Sequence, residues 1–331
     1  VSFFFHEAEI ALRRGDAGRA RVALERFLEP NQYSVRTYRG QLRYAEALAL
    51  EGRASEAADF LESALDALEE WRLGLDLVGL QRYAFQAGEY LVDPDLGTAS
   101  IISAIAAAGQ TNRAFNLAER QRGRDLYERM VLAEIGRRRV GERLDEEAPI
   151  PPPPSPLEVE AVMAAIPNAE TVLIEFVTGT GGEPTTAFLV GHGPVQAIQL
   201  PPVDSLERDI NLLRSLTEAG EDPGSVATRL GNSPLGPILP HLPEGVSSLA
   251  LVPSGSLHRV PFDLLEPGSQ GPLVKRFSVS VGPSASILSR LWSERVDPLP
   301  DFLVLGDPVL PTPPPGQDPL PSLPGARREI K

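Results

Sequence analysis

The sequence predicts a helical repeat domain over residues 1–148 and an α/β domain over residues 157–331, joined by a proline-rich linker at 149–156. Three observations predict this division. Of 33 prolines only Pro30 and Pro94 precede Pro149, and proline is nearly barred from helix interiors, so the first part reads as helical and the second as much less so. A glycine-anchored pattern recurs within the first part. After residue 156 the apolar period changes from helical to strand-like. A length of 331 residues fits two domains of ordinary size.

In the helical part, Gly15 followed by Ala20 and Leu24 matches Gly52 followed by Ala57 and Leu61. Gly109 with Ala114 and Ala118 is a weaker third copy. Glycine marks the turn between paired helices, and small residues let the two helices approach. Tyr44, Ala45 and Leu48 supply an apolar helix before Gly52, and Ala57, Leu61 and Ala64 supply one after it. The glycine spacing is 37 and then 57 residues, against a nominal period of about 34. The array is therefore irregular, and a non-repeating helical bundle stays open as the alternative.

The run Pro149-Ile-Pro-Pro-Pro-Pro-Ser-Pro156 favours an extended polyproline spacer. No flanking basic residue completes a motif for a proline-recognition module. Beyond it, Thr171-Val-Leu-Ile-Glu-Phe-Val177 and Thr185-Thr-Ala-Phe-Leu-Val190 read as strands of a hairpin around Gly179-Thr-Gly-Gly182. Leu206 to Ala219 reads as a helix with Ile210, Leu213 and Leu216 on its apolar face. Ser248-Leu-Ala-Leu-Val252 is a strand stopped by Pro253, and Phe302-Leu-Val-Leu305 a strand stopped by Gly306-Asp-Pro308. Short apolar strands interspersed with helix give α/β layering.

Composition narrows the function. A net charge of -14 opposes general binding to nucleic acid or an anionic membrane surface, because like charge repels. No apolar run reaches the ~18 to 20 residues of a membrane-spanning helix, so a soluble, cytoplasmic protein is expected. Val1 in place of Met leaves an upstream signal peptide open. The absence of cysteine removes disulfides, thiolate metal sites and any thiol nucleophile from these residues. His6, His192, His241 and His258 are scattered, so no metal and no cofactor is expected.

Several motifs have bland readings. Gly179-Thr-Gly-Gly182 lacks the Gly-Lys-Ser/Thr and following helix of a phosphate loop. Ser254-Gly-Ser256 with His258 invites a serine-hydrolase reading, yet Gly-x-Ser-x-Gly is absent, and the alternative is a turn after a strand. Arg137-Arg-Arg139, offset by Asp145-Glu-Glu147, reads as a solvated helix end.

The helix pairs, with glycine in the turn and alanine at the contact, resemble the tetratricopeptide repeat. Leu249-Ala-Leu-Val-Pro-Ser-Gly-Ser-Leu-His-Arg-Val-Pro-Phe-Asp-Leu-Leu265 resembles the signature of the CHAT-domain family, caspase-like cysteine proteases found together with such repeats. Phe277-Ser-Val-Ser-Val-Gly-Pro-Ser284 is similar to its next strand and Pro-Ser. Leu303-Val-Leu-Gly-Asp-Pro308 and Leu323-Pro-Gly-Ala-Arg-Arg-Glu329 are similar to the strand, turn and helix start that come after it. Ala114-Phe-Asn-Leu-Ala-Glu-Arg-Gln-Arg-Gly-Arg124 is similar to the helix that closes the repeat array in such proteins.

The resemblance implies a tetratricopeptide-like repeat domain followed by a caspase-like α/β domain that is incomplete on its C-terminal side. It implies a cysteine endopeptidase in which a thiolate attacks the scissile carbonyl and a His moves the proton, with that His and Cys expected downstream of Lys331. The present residues then supply no catalytic residue. Pro261-Phe262 also reads as an aromatic seated in the core. His192-Gly193 imitates the catalytic His but precedes Pro261-Phe262, where the family's His follows that motif. Asp307, at the end of the first core strand of the resemblance, is the candidate substrate-binding residue and would favour Arg or Lys, although Asp before Pro308 is also a common turn start. The expected partners are a protein or peptide on the repeats and a protein substrate. The alternative is a non-catalytic interaction scaffold with a degenerate caspase-like domain.

Overall fold

The computed structural model describes residues 2–29, 37–74, 98–122, 130, 155–179, 181–268 and 271–293. The chain divides into a compact unit of Val1–Ser293 and a second of Glu294–Lys331. The strand read at Phe302–Leu305, Asp307, the arginine run at 137–139 and most of the proline run lie outside the described residues.

The first unit begins with helices α1 (Ser2–Arg13), α2 (Ala17–Leu28), α3 (Thr37–Leu50), α4 (Ala54–Gly74), α5 (Thr98–Ala107) and α6 (Thr111–Glu119). They form three hairpins, α1/α2, α3/α4 and α5/α6, and successive pairs pack on one another. One turn geometry joins all three pairs. Gly15, Gly52 and Gly109 have φ of +72°, +77° and +83°, a left-handed conformation that glycine adopts without the Cβ penalty. In each turn the glycine N–H donates to the carbonyl three residues back (Leu12, Ala49, Ala106), and the next N–H donates to the carbonyl five back (Ala11, Leu48, Ile105). Five residues after each glycine stands a fully buried alanine, Ala20, Ala57 or Ala114. The glycine pattern of the sequence is thus a repeated helix-turn-helix unit.

The sheet follows α7 (Val159–Ala165). Its strands are β1 (Thr171–Val177), β2 (Thr185–Val190), β3 (Gln196–Leu200), β4 (Ser248–Val252) and β5 (Ser278–Val281), in the order β3-β2-β1-β4-β5. β1 pairs antiparallel with β2, and β2 with β3, whereas β4 lies parallel to both β1 and β5. Between β3 and β4 lie α8 (Glu207–Ala219) and α9 (Gly224–Asn232), and α10 (Ala285–Ser293) follows β5. Every residue of β1 and β2 is buried, because helices cover both faces of the sheet. One core cluster joins Leu173, Phe188, Val190, Ala250 and Val252 to the helical pairs; Phe115 of α6 meets Phe188 edge-on at 5.7 Å. The other packs Ile174, Phe176, Leu249 and Leu251 under α8 and α9.

The hairpin read around Gly179–Gly182 is present as the β1–β2 connection. There the N–H of Gly182 donates to Asp204 Oδ2 at 3.0 Å. The α8 helix begins at Glu207, after a 3-10 turn at Val203–Leu206. Neither β3, interrupted by Gln196 and Gln199, nor the short helices α7, α9 and α10 follows from the apolar pattern of the sequence alone.

Candidate functional site

The carboxyl ends of parallel strands are where α/β sheets place their sites, because loops leave the sheet there and backbone N–H groups are free to bind. Here those ends belong to β1, β4 and β5, and the first two are linked there. Thr178 leaves β1 and Ser254 leaves β4. Ser254 Oγ accepts the N–H of Thr178 at 2.9 Å and lies 2.9 Å from Thr178 Oγ1. Gly255 follows with φ +51°, and a Cβ there would sit 2.7 Å from Thr178 Oγ1. Glycine is therefore required by close approach as well as by conformation.

His258 lies in the 3-10 turn Gly255–Arg259. Partial desolvation pushes its imidazole pKa down from 6.5, and the positive charge of Arg122 adds to this. The residue as a whole is nonetheless exposed. The Ser254 hydroxyl is engaged with Thr178, so the bland reading of a turn after a strand is what the structure shows. Pro261-Phe262 seats its ring in the core, stacked on Phe176 at 5.9 Å. His192 is exposed in the β2–β3 turn. Because Leu173 at the start of β1 pairs with Val190 at the end of β2, His192 lies at the opposite edge of the sheet from Ser254 and His258. β1 separates the two edges by roughly 20 Å at about 3.3 Å per residue.

A polar cluster, fully buried at Glu119 and Glu175, adjoins the same edge, and it is built largely by α6. Asn112, Asn116, Glu119 and, just beyond the helix, Arg122 recur at helical spacing on one face. Asn112 Nδ2 donates to Glu160 at 3.0 Å, and Asn116 Oδ1 accepts the N–H of Val159, at the start of α7, at 2.8 Å. Glu119, with no exposed surface, accepts the N–H groups of Ala285 at 2.8 Å and Ser286 at 3.0 Å and the Ser286 hydroxyl at 2.6 Å. Ser284 Oγ takes the Ile287 N–H at 3.2 Å, and the Leu288 N–H reaches Ser284 O at 3.1 Å. The first-turn donors of α10 are thus all satisfied, with a carboxylate where the helix dipole favours negative charge.

Arg122 reaches β1. Its guanidinium donates to Phe176 O, and its Nε lies 3.4 Å from Glu175 Oε1. Glu175 is wholly buried, and among the described residues neither of its oxygens has a hydrogen-bond partner. Burial raises its pKa well above the usual carboxylate range; the nearby Glu119 carboxylate raises it further, and Arg122 opposes both. A desolvated acid beside another carboxylate binds its proton more tightly than a solvated one does.

Among the described residues no group of three or more His, Cys, Asp or Glu could hold a metal ion, and no helix is long and apolar enough to cross a membrane. Sequence reading did not single out the roles of Glu119, Arg122 and Glu175. The signal for Glu175 is a lone acid inside an otherwise apolar strand, and for α6 it is a polar stripe opposite Ala114, Phe115 and Ala118.

No curated protein sequence matches the chain. The family model of the CHAT domain matches residues 224–331. That stretch includes α9, β4, the Ser254–His258 turn, β5 and α10, while β1, which pairs with β4, precedes it. On this match, the carboxy-terminal third of the chain is similar to the CHAT domain.

Proposed function

We propose that this chain is the amino-terminal part of a CHAT-domain cysteine endopeptidase. Its helical region is an array of tetratricopeptide-like repeats that receives a protein or peptide partner, and its sheet region is the first part of a caspase-like unit. The catalytic His and Cys would come from residues downstream of Lys331. The observation that carries this reading is the order of parts: three helix pairs joined by one glycine turn, then a sheet with parallel β1, β4 and β5, the latter two within the CHAT match. The 331 residues hold no cysteine and so supply no thiolate nucleophile themselves.

Stacked helix pairs offer an extended concave surface, and the acidic balance favours a basic or mixed-charge partner. Asp307 would favour substrates with Arg or Lys before the cleaved bond through a charge-assisted hydrogen bond. The test is cleavage of a peptide panel by the longer protein that includes the next ~150 residues, a span set by ordinary domain size. Cleavage abolished by thiol alkylation, with Asp307→Asn selectively weakening cleavage after basic residues, supports the proposal. A downstream sequence without His-Gly and Cys, and no thiol-dependent turnover, would favour the interaction scaffold.

A further inference from the structure

Helix α6 is held from two sides. Toward α4, Arg113 pairs with Asp59 at 2.6 Å and Glu62 at 2.8 Å, and Arg120 pairs with Asp66 at 2.5 Å. Toward the sheet region, Asn116 caps α7, Glu119 caps α10, and Arg122 holds the backbone of β1 at Phe176. Ser286 tightens the arrangement, since its hydroxyl donates to Glu119 and accepts the Leu157 N–H at 2.9 Å. The cap is unusual in its source. Ser284, the residue preceding α10, caps the Ile287 N–H in the ordinary way, whereas the Ala285 and Ser286 donors are taken by Glu119, 166 residues before Ala285.

We propose that α6 is a coupling strut, and that Glu119 makes the first turn of α10 and the neighbouring end of β1 respond to the state of the helical pairs. The Ser284 part of the cap opens and closes with α10 alone. The Glu119 part, which serves Ala285 and Ser286, also opens when α6 moves, and α6 is paired to α4. Glu119 and Arg122 are thus positioning residues for the sheet edge that bears Thr178, Ser254 and His258. The use of this strut, to convey a bound partner's presence to the CHAT region, rests on the function proposed above; the mechanical coupling does not.

The coupling is read by native-state hydrogen exchange on the full chain, without partner or peptidase substrate. Leu61→Ala, or the milder Gly52→Ala, loosens the helical pairs far from α10. In the protein with Glu119 either substitution should speed exchange of the Ala285 and Ser286 amides at least tenfold. In a Glu119→Gln background those amides should already exchange faster, and adding the same substitution should change them less than twofold. Circular dichroism establishes that each variant is folded. Equal acceleration in both backgrounds, or none in the protein with Glu119, would overturn the proposal. Either result leaves the endopeptidase reading to its own cleavage test.

Discussion

Glu119 Oε1 accepts the N–H of Ala285 at 2.8 Å, so the last residue of α6 forms the cap of a helix that starts after the fifth strand. Removing this carboxylate leaves two amide N–H groups and the Ser286 hydroxyl proton without acceptors, at about 1–3 kcal/mol for each unsatisfied group before relaxation. Glu119→Ala should therefore destabilise the protein by roughly 3–5 kcal/mol. Glu119→Gln, which keeps an acceptor oxygen, should cost less, roughly 1–2 kcal/mol. Denaturant unfolding measures both, and equal losses would show that the hydrogen bonds are not the cause.

Glu175 gives a pH signature. Its pKa is raised in the fold, so the native state binds the proton more tightly than the unfolded chain does. Its contribution is fully present below the unfolded carboxylate range and is lost as pH rises through the raised value. Glu175→Gln should flatten this loss, leaving the variant more stable than the parent at pH 9 by a margin that shrinks toward pH 5. A margin independent of pH would refute the assignment.

His258 shifts the other way. A depressed imidazole pKa means that the native state binds the proton less tightly than the unfolded chain. Stability gained from this group rises with pH through the interval between the folded value and 6.5. Its NMR titration midpoint should lie below 6.5 and should move upward in Arg122→Gln, which removes the neighbouring positive charge. A midpoint unmoved by that substitution would exclude the charge effect.

Much of the helical architecture was legible because glycine and alanine have local reasons to stand where they do. Gly15, Gly52 and Gly109 satisfy a left-handed turn, and the alanine five residues on fits a close helix contact. The hairpin strands β1 and β2 were legible for a similar reason: both are short apolar runs bounded by glycine and proline. The buried cluster was not, because its partners are distant in sequence. Nothing near Ala285 signals that its N–H is met by α6, and nothing near Ser254 signals that its hydroxyl is engaged by Thr178.

The turn glycines themselves yield a contrast. A Cβ at Gly15, Gly52 or Gly109 meets nothing within 4 Å, so Ala there should cost only the left-handed strain, about 1–2 kcal/mol each, with Asn tolerated better than Ala. Gly40 has no such conformation, but a Cβ would lie 2.6 Å from the Phe27 ring. Gly40→Ala should instead separate α2 from α3, with Phe27→Leu relieving the loss. Thermal midpoints of the five variants decide between backbone strain and packing.

The most direct test of α6 as the joint of one cooperative unit uses the two tryptophans, Trp71 in α4 and Trp292 in α10. Trp71→Phe leaves a reporter in the sheet region, and Trp292→Phe leaves one in the helical region. Coincident fluorescence unfolding curves are predicted for the two proteins, with Glu119→Ala lowering both midpoints by the same amount. Separate transitions, or a Glu119→Ala shift confined to Trp292, would contradict the joint.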